Sequence, residues 1–168
     1  MPVIDLQLKA QLTNVTALVP DEAEGAYDWH FKMQCGTCKE VTEKFVTIND
    51  AETRNKPGSR GEANLVMRCK FCKREGAASI LDRAVEYTGG DSGEEFATIL
   101  SIECRGMEPV AFEPRGGWTA KGVDSNMRFE FDLDEGEWYG YDEKAGIEVS
   151  VADIEHRFQR GHEPKRAK

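Results

Sequence analysis

The chain has 168 residues, 39% of them hydrophobic, and 22 Lys and Arg against 31 Asp and Glu give it a formal net charge of −9. That length supports one domain with a proper core, or two small halves packed together. The negative charge repels phosphate backbones, no apolar run approaches the roughly eighteen residues of a membrane span, and MPVIDLQLKA lacks the regions of a signal peptide; a soluble, cytoplasmic chain that binds neither nucleic acid nor membrane is expected.

Residues 3–13 alternate Ile4, Leu6, Leu8, Ala10 and Leu12 against Asp5, Gln7, Lys9 and Gln11, the period of a strand with one buried face. Residues 27–34 repeat the pattern, with Tyr27, Trp29, Phe31 and Met33 on one side and His30 on the polar side, and run straight into CGTC at 35–38. VTEKFVTIN is again rich in β-formers, whereas DAETRNKPGSRGEAN has the Pro, Gly, Ser and charge of a mobile loop. NLVMRC and GAASIL flank a second pair of cysteines as short strands. Beyond GGDSG follow EFATILSIEC, PVAFEP, GWTAKG, NMRFEFDL, EWYGYD and GIEVSV, all short and bounded by turns. Helical spacing is suggested only over Val151 to Phe158, so an all-β fold is expected.

A faint repeat lays residues 8–20 on 102–114, matching Ala17 with Ala111, Leu18 with Phe112 and Pro20 with Pro114. Residues 27–33 then match 127–133 as apolar at every second position, once an insertion is allowed. Two pseudo-symmetric antiparallel β halves, packed in a sandwich-like or barrel-like way, are the expectation: 1–92 with the metal site, 93–158 without metal, and a basic, disordered tail at 159–168. In this register CGTC falls opposite EGEW at 135–138, a turn that keeps the shape and loses the metal.

Four of the five cysteines, Cys35, Cys38, Cys69 and Cys72, form two C-x2-C pairs 30 residues apart. Each pair can turn two sulfurs to one side of a tight knuckle, and Gly36 suits such a turn because it tolerates a positive φ. Two knuckles supply four thiolates to one Zn2+ at roughly 2.3 Å and leave no position open, which is a structural site. A redox dithiol would open a helix, whereas both pairs are bracketed by strand patterns. Iron also accepts four thiolates, and softness alone does not separate it from zinc.

Lys39, Arg68, Lys70, Lys73 and Arg74 surround the cysteines. They offset the negative charge of a four-thiolate centre, or they form a docking patch for an acidic partner. Cys104 reads as a core residue, with a fifth thiol near the metal as the alternative. His30 reads as solvated, and His156 and His162 lie in or near the tail. Glu130, Asp132 and Asp134 share a face that reads as solvated surface or as a site for a basic partner. Trp118 and Trp138 read as core anchors, and PRGGW as a turn without phosphate-loop spacing. No nucleophilic triad is visible, and no catalytic residue is assigned.

GSRGEANLVMRCKFCKREGAASIL, with CGTCKE before it and ECRGMEPVAFEPRGGW after it, resembles the eukaryotic CXXC-motif-containing zinc-binding protein family, long catalogued as a domain of unknown function. The resemblance covers nearly the whole chain, with the basic tail RGHEPKRAK as a departure. It implies Cys35, Cys38, Cys69 and Cys72 as zinc ligands, a β fold of two related halves, a cytosolic location and no established catalysis. The expected function is a non-enzymatic, monomeric zinc-binding adaptor for a protein partner, which could itself handle metals; exchange of zinc through the four-cysteine site is the alternative.

Overall fold

In a computed structural model, residues 2–23, 25–55, 61–82, 84–89 and 95–161 are described. They form fourteen strands and, among the described residues, no helix. The first eight are β1 (Val3–Thr13), β2 (Val15–Pro20), β3 (Trp29–Cys35), β4 (Val46–Ile48), β5 (Arg54–Asn55), β6 (Glu62–Ala63), β7 (Leu65–Arg68) and β8 (Glu75–Ile80). The remainder are β9 (Ala97–Arg105), β10 (Met107–Glu113), β11 (Gly117–Gly122), β12 (Arg128–Asp132), β13 (Trp138–Asp142) and β14 (Ile147–Arg160). The all-β expectation holds.

Every ladder is antiparallel. One six-stranded sheet runs β13-β14-β1-β9-β8-β7, and two three-stranded sheets run β10-β3-β4 and β12-β11-β2. Read inward from both ends, the large sheet matches β13 with β7, β14 with β8 and β1 with β9. The small sheets match β10 with β2, β3 with β11 and β4 with β12. A pseudo-twofold axis therefore passes between β1 and β9, and each half lends strands to the other's sheets. β5 and β6 make a separate ribbon inside the stretch expected to be loop, and residues 56–60 of that stretch lie outside the described residues.

This pairing corrects the register of the repeat. The counterpart of β3 is β11, not the 127–133 stretch, so CGTC is matched by GVDS at 122–125 rather than by EGEW. The alternating FEF of β12 attracts the comparison, although β12 is the counterpart of β4.

Alternation puts the apolar side chains where one buried face requires them. Ile4, Leu6, Leu8 and Ala10 of β1 and Trp29, Phe31 and Met33 of β3 are buried. Trp118 is buried beside Tyr27, its indole N–H donating to the Tyr27 hydroxyl at 3.1 Å, which in turn donates to the Arg115 carbonyl. Each such side chain contributes about 1.5–3 kcal/mol by leaving water, so this aromatic group outweighs any surface ion pair nearby. Trp138 is only partly buried, its ring stacked on Phe131 at 4.2 Å between centroids.

The helical spacing expected over Val151–Phe158 is a strand. Lys9 pairs with Glu155 and Gln11 with Ala152, so β14 fits two residues opposite Ala10, and the bulged Asp153 has φ 53°. The bulge shifts the inward series from the buried Val149 and Val151 to the partly buried Ile154 and Phe158, a spacing that imitates a helix face. Gln159 and Arg160, placed in the tail on sequence alone, pair with Asp5 and Ile4; residues 162–168, His162 included, lie outside the described residues. Among the described residues, no helix is long and apolar enough to cross a membrane.

Candidate metal centre

The first knuckle closes β3. The Cys35 amide donates to the Glu40 carbonyl at 2.9 Å and the Lys39 amide to the Cys35 carbonyl at 3.1 Å. The second, between β7 and β8, repeats both bonds: Cys69 to Arg74 at 2.9 Å and Lys73 to Cys69 at 3.0 Å. The positive φ falls on Lys39 and Lys73, 66° in each, and not on Gly36 as expected. What Gly36 supplies is room: its amide donates to the Gly106 carbonyl at 2.9 Å, and a Cβ there would lie 3.3 Å from that oxygen. Gly106, the single residue between β9 and β10, has φ 73° and packs on Glu75 and Gly76 beside the second knuckle. It braces both turns, and its signal in the sequence is a lone glycine between two strand patterns.

The four sulfurs of Cys35, Cys38, Cys69 and Cys72 lie within 4.8 Å of one another. Cys35 faces Cys72 at 3.6 Å and Cys38 faces Cys69 at 3.5 Å, far beyond the ~2.05 Å of a disulfide and close to the ~3.8 Å edge of a tetrahedron with 2.3 Å arms. None of the five cysteines is in a disulfide. The amides of Cys38 and Thr37 donate to Cys35 and hold its thiol down to about 6. The Cys72 and Phe71 amides lower Cys69 in the same way. At Cys38 the Glu40 amide acts in that direction too, but desolvation and hydrogen bonds with Cys69, Cys35 and Cys72 prevail and push the thiol up to about 12. A cluster that favours some thiolates and resists the last is completed by a dication. The donor set fits one zinc ion.

Cys104 stands apart, buried in β9 with its sulfur 3.8 Å from the Ile102 carbonyl, and burial pushes its thiol up to about 12. Lys39, Arg68, Lys70, Lys73 and Arg74 are all exposed; Arg68 approaches Glu75 at 3.5 Å and the Lys73 ammonium donates to the Lys70 carbonyl at 2.8 Å. Phe71, between the second pair of cysteines, is 66% exposed, an apolar tip among those cations that sequence reasoning passed over. His30 is less solvated than expected: its Nδ1 is buried and has no hydrogen-bond partner among the described residues.

An antiparallel β chain with a four-cysteine knuckle pair is the class that this fold and site define. A family model described as "CXXC motif containing zinc binding protein, eukaryotic" matches residues 5–159, and the chain belongs to that family. It is 41% identical over 156 residues to the CXXC motif containing zinc binding protein of Bos taurus and 40% identical over 156 residues to that of Homo sapiens, covering 92% of this chain and 96% of the relative in each case. The fold is similar to the crystal structure of C1orf123, with a TM-score of 0.86 at 39% identity over 95% of this chain and 99% of that one. A hypothetical protein from Plasmodium falciparum shares the fold, with a TM-score of 0.81 at 21% identity over 95% of this chain and all of that one.

Proposed function

We propose that the protein is a non-enzymatic, cytoplasmic, monomeric zinc-binding adaptor, in which Cys35, Cys38, Cys69 and Cys72 hold one structural Zn2+. The observation that carries the reading is the convergence of four sulfurs within 4.8 Å, a set that fills a tetrahedron and leaves the metal no position for substrate or water. The clamp fixes the second knuckle, and the knuckle presents Phe71 amid Lys70, Lys73 and Arg74. An apolar anchor ringed by cations on an otherwise acidic chain suits an acidic protein segment carrying one large apolar side chain. Affinity capture with the native chain, beside Lys70→Gln with Arg74→Gln and beside Cys69→Ser with Cys72→Ser, tests this. The charge variant should keep its zinc and lose the partner; equal capture by all three chains would sink the adaptor reading.

A second reading is zinc exchange with a metal-handling protein. It draws on the partial exposure of Cys38, Cys69 and Cys72, which lets an incoming ligand approach three of the four sulfurs. Competition with a calibrated chelator separates the two: loss within minutes supports transfer, and retention over days supports a permanent clamp.

A further inference from the structure

The pseudo-twofold axis carries the two knuckles onto two turns of the second half. The turn after β11 has the same pair of bonds, Gly122 amide to Met127 carbonyl at 2.8 Å and Asn126 amide to Gly122 carbonyl at 2.9 Å, with φ 59° at Asn126. The turn between β13 and β14 bonds Gly146 to Asp142 at 2.7 Å, pairs Asp142 with Ile147, and has φ 72° at Gly146. Turn for turn, Gly122, Ser125, Asp142 and Ala145 stand where Cys35, Cys38, Cys69 and Cys72 stand in the first half.

The side-chain chemistry follows the same correspondence. The Cys69 sulfur accepts from the amides two and three residues ahead, Phe71 and Cys72. The Asp142 carboxylate accepts from the amides two and three residues ahead, Lys144 at 3.1 Å and Ala145 at 3.0 Å. Cys38 touches Cys69, and Ser125, its counterpart, donates its hydroxyl to Asp142 Oδ2. Gly122 matches Cys35, and a Cβ there would lie 2.5 Å from Ser125 Oγ and 2.6 Å from Asp142 Oδ2, because these two side chains fill the space that the metal site would need. Asp142 is buried, with a relative exposure of 0%.

We infer that residues 122–127 and 142–147 form a metal-free counterpart of the zinc centre, in which the hydrogen bond from Ser125 to the buried carboxylate of Asp142 replaces the metal as the cross-link between two turns. The match of backbone and donors stands on geometry alone; its reading as a replaced metal rests on the four cysteines holding zinc. The hydrogen bonds to Asp142 also hold its carboxyl below the ordinary range, so the acceptor remains ionised at neutral pH.

Two experiments on the full chain test the inference. In the chain carrying Gly122→Cys, Ser125→Cys, Asp142→Cys and Ala145→Cys, zinc released on denaturation should rise from one to two per chain, and the thiolate-to-cobalt absorption of the Co2+ form should double. In Asp142→Ala, hydrogen exchange should quicken at least about ten-fold at the amides of 122–127 and 142–147, with 35–40 and 69–74 unchanged. A folded four-cysteine chain that still holds one zinc, or an Asp142→Ala chain that exchanges like the native protein at both turns, overturns the inference. If the four-cysteine chain does not fold, the exchange result decides alone. A native chain that binds no zinc would instead overturn the adaptor reading, while the exchange result would still report on the Asp142 cross-link.

Discussion

Tyr87 and Leu18 exchange two backbone hydrogen bonds, at 2.9 and 2.8 Å, from a stretch with no strand pattern to the edge of β2. The fully buried Tyr87 hydroxyl also accepts from the Ala10 amide at 3.2 Å and donates to the Glu95 carbonyl at 2.9 Å, so one ring ties β1, β2 and the approach to β9 together. Tyr87→Phe keeps the ring and leaves the Ala10 amide buried without its acceptor, a loss of about 1–3 kcal/mol. Thermal denaturation should show a midpoint lower by about 3–10 °C for a chain of this size. An unchanged midpoint would mean that the hydroxyl contributes nothing.

Gly106→Ala should strain both knuckles at once. Its φ of 73° disfavours a side chain, and the added Cβ would lie 3.1 Å from the Glu75 carbonyl. We expect a loss of about 1–3 kcal/mol in urea unfolding together with faster zinc loss to a chelator. Gly36→Ala, with positive φ absent and a looser approach, should cost less.

Zinc removal should loosen the knuckles and the β3, β7 and β8 segments they join. Apparent zinc affinities of about 10–16 kcal/mol rival or exceed the whole stability of a small domain, about 5–15 kcal/mol. Chelation should therefore lower the thermal midpoint and broaden amide signals around 35–40 and 69–74 first. A chelated sample with the native midpoint and a dispersed spectrum would refute a structural role for the metal.

Cys104 should be silent to thiol reagents. Buried and pushed up to about 12, its thiol is neutral near neutral pH, and thiolate is the reactive form. At pH 8 the chelated, folded protein should react with alkylating agent at the lowered, partly exposed thiol of Cys69, and at Cys104 only after unfolding. Mass spectrometry of the labelled peptides reads this directly.

Acid should erode the Asp142 cross-link in a definite window. Its carboxyl is held below the ordinary value, first by Ser125, so the stabilisation is present above the unfolded value of about 3.9 and is lost as pH falls through the lower folded value. Ser125→Ala removes the principal cause. The native chain should be the more stable at pH 7, and the gap between the two midpoints should begin to narrow below about pH 4 and go on narrowing as the pH falls further. A gap independent of pH would assign the effect of Ser125 to packing.

What the sequence carried was the local periodicity and the ligand set. Ile4 to Ala10 and Trp29 to Met33 alternate without interruption, and two C-x2-C pairs have few rival readings, so strands and metal centre were both legible. Val151 to Phe158 was not, because a bulge at Asp153 changes which face is buried and nothing in the letters marks it. The repeat was visible but misregistered: GWTAKG of β11 buries Trp118, Thr119 and Ala120 in succession, so it resembles WHFKM of β3 less than RFEFD does. The counterparts of the cysteines were invisible for a chemical reason. Once thiolates give way to Gly, Ser, Asp and Ala, only backbone hydrogen bonds preserve the likeness.

The interlaced sheets set an order for biosynthesis. Of the described strands, β1 leaves the ribosome first and pairs with β14, which leaves last, down to Ile4 opposite Arg160. β2 waits for β11, β3 for β10 and β8 for β9. Until the final strand emerges, the edge of β1 opposite the one that pairs with β9 has no partner, the condition in which nascent strands recruit one another. The four cysteine ligands all precede residue 74, so zinc capture by the nascent chain would give the first half a fixed point before Gly106 arrives to brace it.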